Sequence, residues 1–236
     1  MKFTPLASSS KGNAYLLQAD GVPPLLLEAG IPIKQIRVKL HEHGIVLSDL
    51  AACFVSHEHQ DHAKAVKDLL KAGVDIGMSY GTAKVLDVNG HYRAHPIVAG
   101  RQMEIGPWTI LSFHLEHDAE EPIGFFIGHR GERLLFIADT GYVKDRFSGI
   151  TIAAIECNNI AEILSKNILE GHIPAIVGKR VRRNHMNLEN LISMLKANDL
   201  SRCRAIYLMH LSDGNSNESR MIKEVQEATG IPTEAC

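Results

Sequence analysis

Short apolar runs broken by small and polar residues open the chain: KFTPLA, NAYLLQA and PPLLLEA, separated by SSSKGN and DGV. Runs of this length between turn-forming residues predict strands. The period then changes. Ile33, Ile36 and Leu40 recur at helical spacing, with Pro32 suited to a first turn and Gly44 to closing the helix. ACFVS reads as a short buried strand that runs straight into a cluster of histidines. Beyond the cluster, Ala63, Val66, Leu69 and Leu70 mark one face of a helix ended by Gly73. WTILSFH, IGFFIGH, RLLFIAD and ITIAAIE predict four further strands with polar ends. In the last third, Asn187 is placed to cap a helix carrying Leu188, Leu191, Ile192 and Leu195 on one face. RAIYLMH is then a strand, and Met221, Ile222 and Val225 line a final helix. Strands, helices, then strands and helices again predict an α+β protein in which two sheets are layered with helices outside. The pattern by itself leaves the topology open.

Length and composition narrow the class. A chain of 236 residues, 45% hydrophobic and 22% charged, suits one globular domain spanning 1–236. The formal net charge of −2 is no footprint for coating long nucleic acid, so a polyanion has to be met by a local patch. No run approaches the roughly 20 apolar residues of a membrane span. MKFTPLASSS holds no apolar core of signal-peptide length. Cys53, Cys157, Cys203 and Cys236 are widely spread and form no CxxC pair. Together these features predict a cytoplasmic protein with reduced thiols and no membrane partner.

Histidine is the residue that changes the picture: there are 13. His57, His59, Asp61 and His62 lie in SHEHQDH, directly after a predicted strand and at the start of a predicted helix. On a strand end, His57 and His59 point the same way, two residues apart. Asp61 and His62 begin the helix and turn toward a neighbouring position. One short loop therefore offers two ligands to each of two adjacent metals. Imidazole with carboxylate suits zinc, manganese or iron, whereas calcium and magnesium want mostly oxygen. Two metals need further donors, and three stand where strands end: His117 after WTILSF, Asp139 at the end of LLFIAD and His210 at the end of AIYLMH. Any one of them alone is more often structural. With the first cluster they form a candidate ligand set.

SHEHQDH resembles the H-x-H-x-D-H signature of the metallo-β-lactamase superfamily. SSSKGNAYLL, EAGIPIKQI, HDAEEPIGF, ADTGYVKDRF, IECNN and MHLSDGNSN follow in the order seen in its YycJ-like (WalJ) exonuclease branch. The resemblance implies the four-layer αββα sandwich of that fold and a dinuclear metal-dependent phosphodiesterase. It also implies roles for individual residues. His57, His59 and His117 are expected to bind one metal, Asp61, His62 and His210 the other, with Asp139 bridging them. The cofactors implied are two divalent transition-metal ions, zinc first and manganese next. Asp61 and His185 are the candidate catalytic residues; His185, in RRNHMN, falls where relatives carry a histidine near the scissile phosphate and is not expected to bind metal. Three departures bear on substrate: Glu28 stands where aspartate is usual, Asn159 where the branch often has histidine, and SSSKGN has a bulkier residue in place of one of the usual glycines. The resemblance leaves a homodimer open.

The densest basic run, KRVRR, precedes His185. Arg180, Arg182 and Arg183 are the candidate substrate-binding residues, since guanidinium forks match phosphate oxygens; the competing reading is a solvated helix face. The expected substrate is a phosphodiester, either a nucleic-acid end or a small or cyclic nucleotide. The weak overall charge suits the small substrate. A non-hydrolytic di-iron or metal-binding role is the third reading. His59 argues against the redox di-iron form, because redox relatives usually carry glutamate there.

Overall fold

The computed structural model describes residues 1–236, which divide into two compact units. The first comprises Met1–His114 and Ala119–Gly131. Its strands β1 (Lys2–Ala7), β2 (Ala14–Gln18) and β3 (Leu25–Leu27) are the three opening apolar runs, and α1 (Ile33–Glu42) follows. Next come β4 (Ala52–Phe54), α2 (Gln60–Ala63), α3 (Val66–Lys71), β5 (Ile76–Ser79), α4 (Tyr80–Val85) and β6 (Ala94–Ile97). A six-stranded sheet takes the sequential order β1-β2-β3-β4-β5-β6. Its first two pairings are antiparallel and the last three parallel. The strands β3 and β4 are buried on both faces, which is why LLL and ACF show no alternation. Ile36 and Leu40 of α1 pack with Leu16, Leu26, Val55 and Leu69 in the core of this unit. The unit ends in an antiparallel meander of β7 (Gln102–Ile105), β8 (Trp108–His114) and β9 (Ile123–His129). Trp108 is fully buried there and its indole N–H donates to the Pro23 carbonyl at 2.8 Å.

One expectation is corrected here. The helix drawn through Ala63, Val66, Leu69 and Leu70 is interrupted at Lys64 and Ala65, giving the short α2 and then α3. The backbone groups a continuous helix would use are spent elsewhere. Ala29 N–H donates to the His62 carbonyl at 2.7 Å, and Ala65 N–H donates to the Ala29 carbonyl at 2.8 Å. Periodicity in the side chains cannot report that exchange.

The second unit comprises Leu115–Asp118 and Glu132–Cys236. It contains β10 (Glu132–Ile137), β11 (Ile152–Glu156), α5 (Ala161–Leu169), α6 (Ala175–Asn184), α7 (Leu188–Lys196), β12 (Ala205–Met209), α8 (Glu218–Thr229) and β13 (Thr233–Ala235). The pairings β10-β11, β11-β12 and β12-β13 are all parallel. Parallel strands with covered faces read as unbroken apolar runs, as in the entirely buried β11. Asn187 caps α7 as expected, its side chain accepting from Asn190 N–H at 2.7 Å, and Asn217 does the same for α8. The fold is α+β. No helix is long and apolar enough to cross a membrane.

Candidate metal centre

Each unit carries its own group of donors. In the first unit, β4 delivers the chain to His57, His59 precedes α2, and Asp61 and His62 lie in the first turn of that helix. The His57 and His62 rings are buried, with centroids 4.3 Å apart, and the His57 and His59 rings are 4.7 Å apart. His57 Nε2 lies 3.1 Å from His59 Nδ1, while Ser56 Oγ sits 2.9 Å from His57 Nδ1 and fixes the far side of that ring. Three imidazoles held this close, with the Asp61 carboxylate 3.5 Å from His62 Nε2, form a nitrogen-rich set of the kind transition metals prefer.

Backbone contacts hold that loop in place. Asn13, fully buried at the end of SSSKGN, donates to the Asp61 carbonyl from its backbone N–H at 2.8 Å and from Nδ2 at 3.2 Å. Tyr15 OH donates to Asn13 Oδ1 at 3.0 Å and orients the amide. Gly30 lies so close to this junction that an added Cβ would stand 1.6 Å from the Asp61 carbonyl oxygen. Glu28 adopts φ +63°, a left-handed conformation uncommon outside glycine and asparagine. Both its carboxylate oxygens lie 3.3 Å from Ser56 N, and Oε2 is 3.5 Å from His62 Nδ1. The residue that departs from the family's aspartate thus still brings a carboxylate to the histidine loop.

In the second unit the donors follow the parallel strands: Asp139 after β10, Glu156 at the end of β11 and His210 after β12. His210 Nδ1 is 2.6 Å from Asp139 Oδ1 and 3.4 Å from Glu156 Oε1. His185, just beyond α6, brings Nδ1 to 2.6 Å from Glu156 Oε1. The donor atoms of Asp139, Glu156, His185 and His210 all lie within 4.8 Å of one another. His117 Nδ1 donates to the Asn184 carbonyl at 2.8 Å, which leaves Nε2 as the lone-pair nitrogen, 3.9 Å from Asp139 Oδ2. Thr140 Oγ1 accepts from Glu116 N–H at 3.0 Å, holding the strip that bears His117. Gly141 admits the end of α6, for a Cβ there would stand 2.2 Å from the Arg183 carbonyl. His210 itself is left-handed at φ +56°, with its carbonyl accepting from Asn158 Nδ2 at 3.1 Å.

The electrostatics divide these histidines by task. Burial lowers the pKa of His117 and nearby Asp139 offsets this only in part, so its neutral, ligand-competent form is favoured. Burial also opposes charge on His185, but the carboxylates of Glu156 and Asp139 outweigh it and raise its pKa. For His210 the same two carboxylates overcome burial and lift the value to about 10. Glu156 is fully buried, yet the positive charge of His185 and hydrogen bonds from His185 and His210 keep it below the usual glutamate range. Two buried carboxylates side by side demand compensating positive charge. Protons on the imidazoles supply it, and a divalent ion that displaces one of them would supply it equally well. The residues therefore fit a metal.

Glu156 was not singled out from the sequence as a site residue. Its one signal is a charged residue closing an otherwise apolar strand, ITIAAIE. Asn13 and Asn184 were missed as well, the second because it acts through its backbone carbonyl, which side-chain identity does not report. Asn159 is buried and joins the start of α7, its carbonyl accepting from Leu188 N–H at 3.0 Å. The arginines part company. Arg180 Nε donates to Asp118 Oδ2 at 2.6 Å and Arg182 Nη2 to Ser165 Oγ of α5 at 2.9 Å, while Arg183 lines a cavity beside His117.

A family model described as a β-lactamase superfamily domain matches residues 26–211, and the chain belongs to the metallo-β-lactamase superfamily as a metal-dependent hydrolase. Within that class it is similar to the exodeoxyribonuclease WalJ of Streptococcus pneumoniae serotype 2, 30% identical over 242 residues that cover 98% of this chain and 87% of the relative. Exodeoxyribonuclease YycJ of Bacillus anthracis is 28% identical over 247 residues, covering 98% of this chain and 91% of that protein. Among solved structures, the metallo-β-lactamase fold protein YhfI from Bacillus subtilis aligns with a TM-score of 0.75 at 16% identity, over 99% of this chain and 95% of that one. At that identity the likeness shows the fold, which is the class expected from SHEHQDH.

Proposed function

We propose that the chain is a dinuclear metal-dependent phosphodiesterase acting on nucleic acid, as an exonuclease of the YycJ type. The observation that carries this reading is the group of Asp139, Glu156 and His210, all buried, with half-buried His185, in which one histidine is set up as a proton donor beside a carboxylate-rich cation site. In this proposal His57, His59 and His117 would hold one metal and Asp61, His62 and His210 the other, with Asp139 as a ligand shared by the two. Zinc is the first choice by donor type and manganese the second. Similarity to the exodeoxyribonucleases WalJ and YycJ supports the substrate class. The family match, running from residue 26 to residue 211, supports reading 1–236 as one functional domain. Reduced cysteines are consistent with a cytoplasmic setting.

When bound, a pair of divalent ions supplies Lewis-acid stabilisation for charge developing on phosphoryl oxygens. The protein's own groups do the rest. Glu156 Oε1 accepts from His185 Nδ1, so the mobile proton of His185 is the one on Nε2. Glu156 and Asp139 raise the pKa of His185 and so favour its protonated form, from which Nε2 would pass the proton to the departing alkoxide, a contribution of about 10²–10⁴-fold. Glu156 Oε2 accepts from Thr140 N–H at 2.9 Å and Met186 N–H at 3.0 Å and is fixed for that task. Asp61, whose carboxylate lies 3.5 Å from His62 Nε2, would serve as a ligand and as the second catalytic residue.

The test is purified protein stripped of metal, then reloaded with zinc or manganese, given labelled DNA, RNA and a panel of cyclic nucleotides. Metal-dependent shortening of DNA supports the reading. Turnover that persists after rigorous chelation refutes it, and cleavage of cyclic nucleotides alone would favour the small-substrate alternative that the net charge of −2 suits.

A further inference from the structure

Ile176, Lys179, Arg180 and Arg183 recur at i, i+3, i+4 and i+7 along α6 and so share one face of it. That face lines an open cavity of about 600 Å³ whose other walls include His117 and Asn184. The opposite side of the helix is pinned. Gly178 packs so tightly on Ile168 of α5 that a Cβ would stand 2.2 Å from its Cδ1, and Arg182 is bonded to Ser165 of the same helix. Packing on α5 therefore sets the rotation of α6 and turns the row 176–179–180–183 outward.

The charges in the cavity do not balance. Asp118 is matched by Arg180 at 2.6 Å, and Glu116 by Lys144 at 2.8 Å. Lys179 and Arg183 form no ion pair, although the whole chain carries a formal charge of −2. A slightly acidic protein that keeps two uncompensated cations beside a candidate metal ligand is arranged to receive an anion there. No Phe, Tyr or Trp lines the cavity, so the stacking that gives affinity for bases is missing. Side chains one helical turn apart are spaced much like successive phosphates of an extended strand, with exposed Ile176 as an apolar rest at the end of the row.

We propose that this face of α6, led by Lys179 and Arg183, holds the sugar–phosphate backbone of a nucleic-acid strand and reads its phosphates, not its bases. The inference rests on the nucleic-acid phosphodiesterase reading above and adds Lys179, the selection of one face of α6 and indifference to base. Arg182 lies on the other side of the helix and stands outside the contact.

The experiment uses the full chain loaded with zinc and a fluorescein-labelled phosphorothioate oligodeoxythymidylate, which resists cleavage, with binding followed by anisotropy at several salt concentrations. The K179E/R183E double variant is expected to bind about tenfold or more weakly at low salt. Its log–log salt slope should fall by about 1.4, the value for two lost phosphate contacts on a single strand. R182E makes an equal charge change per residue in the same helix and should weaken binding no more than about threefold. Oligodeoxycytidylate should bind like the thymidylate. Equal losses in all variants, or none, overturn the proposal, as does displacement of the strand by an equimolar cyclic dinucleotide. Turnover of bis(p-nitrophenyl) phosphate by the unaltered zinc protein is measured alongside. Its absence counts against the phosphodiesterase reading, whereas turnover with no effect of the α6 variants on strand binding counts against this inference alone.

Discussion

Replacing Gly30 with alanine probes how the histidine loop is held. Gly30 is not in a left-handed conformation, so its backbone would accept alanine and only space is at issue. The new methyl would stand 1.6 Å from the Asp61 carbonyl oxygen and 2.7 Å from Asn13 N, far inside ordinary contact. Either segment 29–31 or the loop carrying His57 to His62 must retreat by more than an ångström. Both Asn13 hydrogen bonds to that carbonyl, at 2.8 and 3.2 Å, are broken by such a move. At a net value of about 0.5–1.5 kcal/mol each, added to about 1–3 kcal/mol for overpacking, the loss comes to about 2–6 kcal/mol. For a chain of this size that lowers Tm by roughly 5–20 °C. The measurement is thermal unfolding by calorimetry, with zinc affinity taken from competition against a chromogenic chelator. Gly214→Ala is the control, since nothing lies within 4 Å of its Cβ position. If Gly30→Ala does not accumulate as folded protein, Asn13→Ala removes the side-chain part of the same latch and should cost about 1–2 kcal/mol. A Gly30→Ala protein with unchanged Tm and unchanged zinc affinity would refute the argument that this junction positions the loop.

Three other outcomes are expected. Glu156→Gln should lower kcat by about 10²-fold or more with little change in KM, because the amide cannot accept from Thr140 and Met186 and still hold a charged His185; a kcat–pH profile should show the alkaline limb, where His185 loses its proton, moved to lower pH. His210, with a pKa raised to about 10, stabilises the fold fully below its ordinary value of 6.5 and loses that contribution as pH rises through about 10. Zinc uptake near pH 7 should therefore release about one proton from this residue, read as a dependence of the calorimetric heat on buffer ionisation enthalpy; zero release contradicts the assignment of His210 as a ligand. Gly141→Ala should lower Tm by several degrees and weaken metal binding, because its methyl would meet the Arg183 carbonyl at 2.2 Å and push α6 away from His117; intact zinc affinity in a destabilised protein would restrict Gly141 to a packing role.

Much of this was legible in the chain itself, and the reason differs from element to element. Strands such as ITIAAIE and RAIYLMH are buried in a parallel ladder, so their apolar runs announce them. Asp139 and His210 were legible because each polar residue closes such a run. Glu156 closes one too, but a glutamate carries a weaker metal signal than histidine, and its hydrogen bonds to two backbone N–H groups depend on residues far along the chain. The break between α2 and α3 was hidden because it is made by backbone bonds from Ala29, which leave no trace in the apolar period. The basic run KRVRR was visible as charge, while the sorting of Arg182 from Arg183 depends on how α6 is rotated against α5.

Asp139, Glu156 and His210 all stand at the carboxyl ends of neighbouring parallel strands, on segments that the ladder itself does not need. Such an arrangement separates durability from chemistry. The connections leaving those strands can lengthen, shorten or exchange their side chains over generations while the paired backbone beneath stays intact. A lineage built this way can change what it cuts without having to invent again how it cuts.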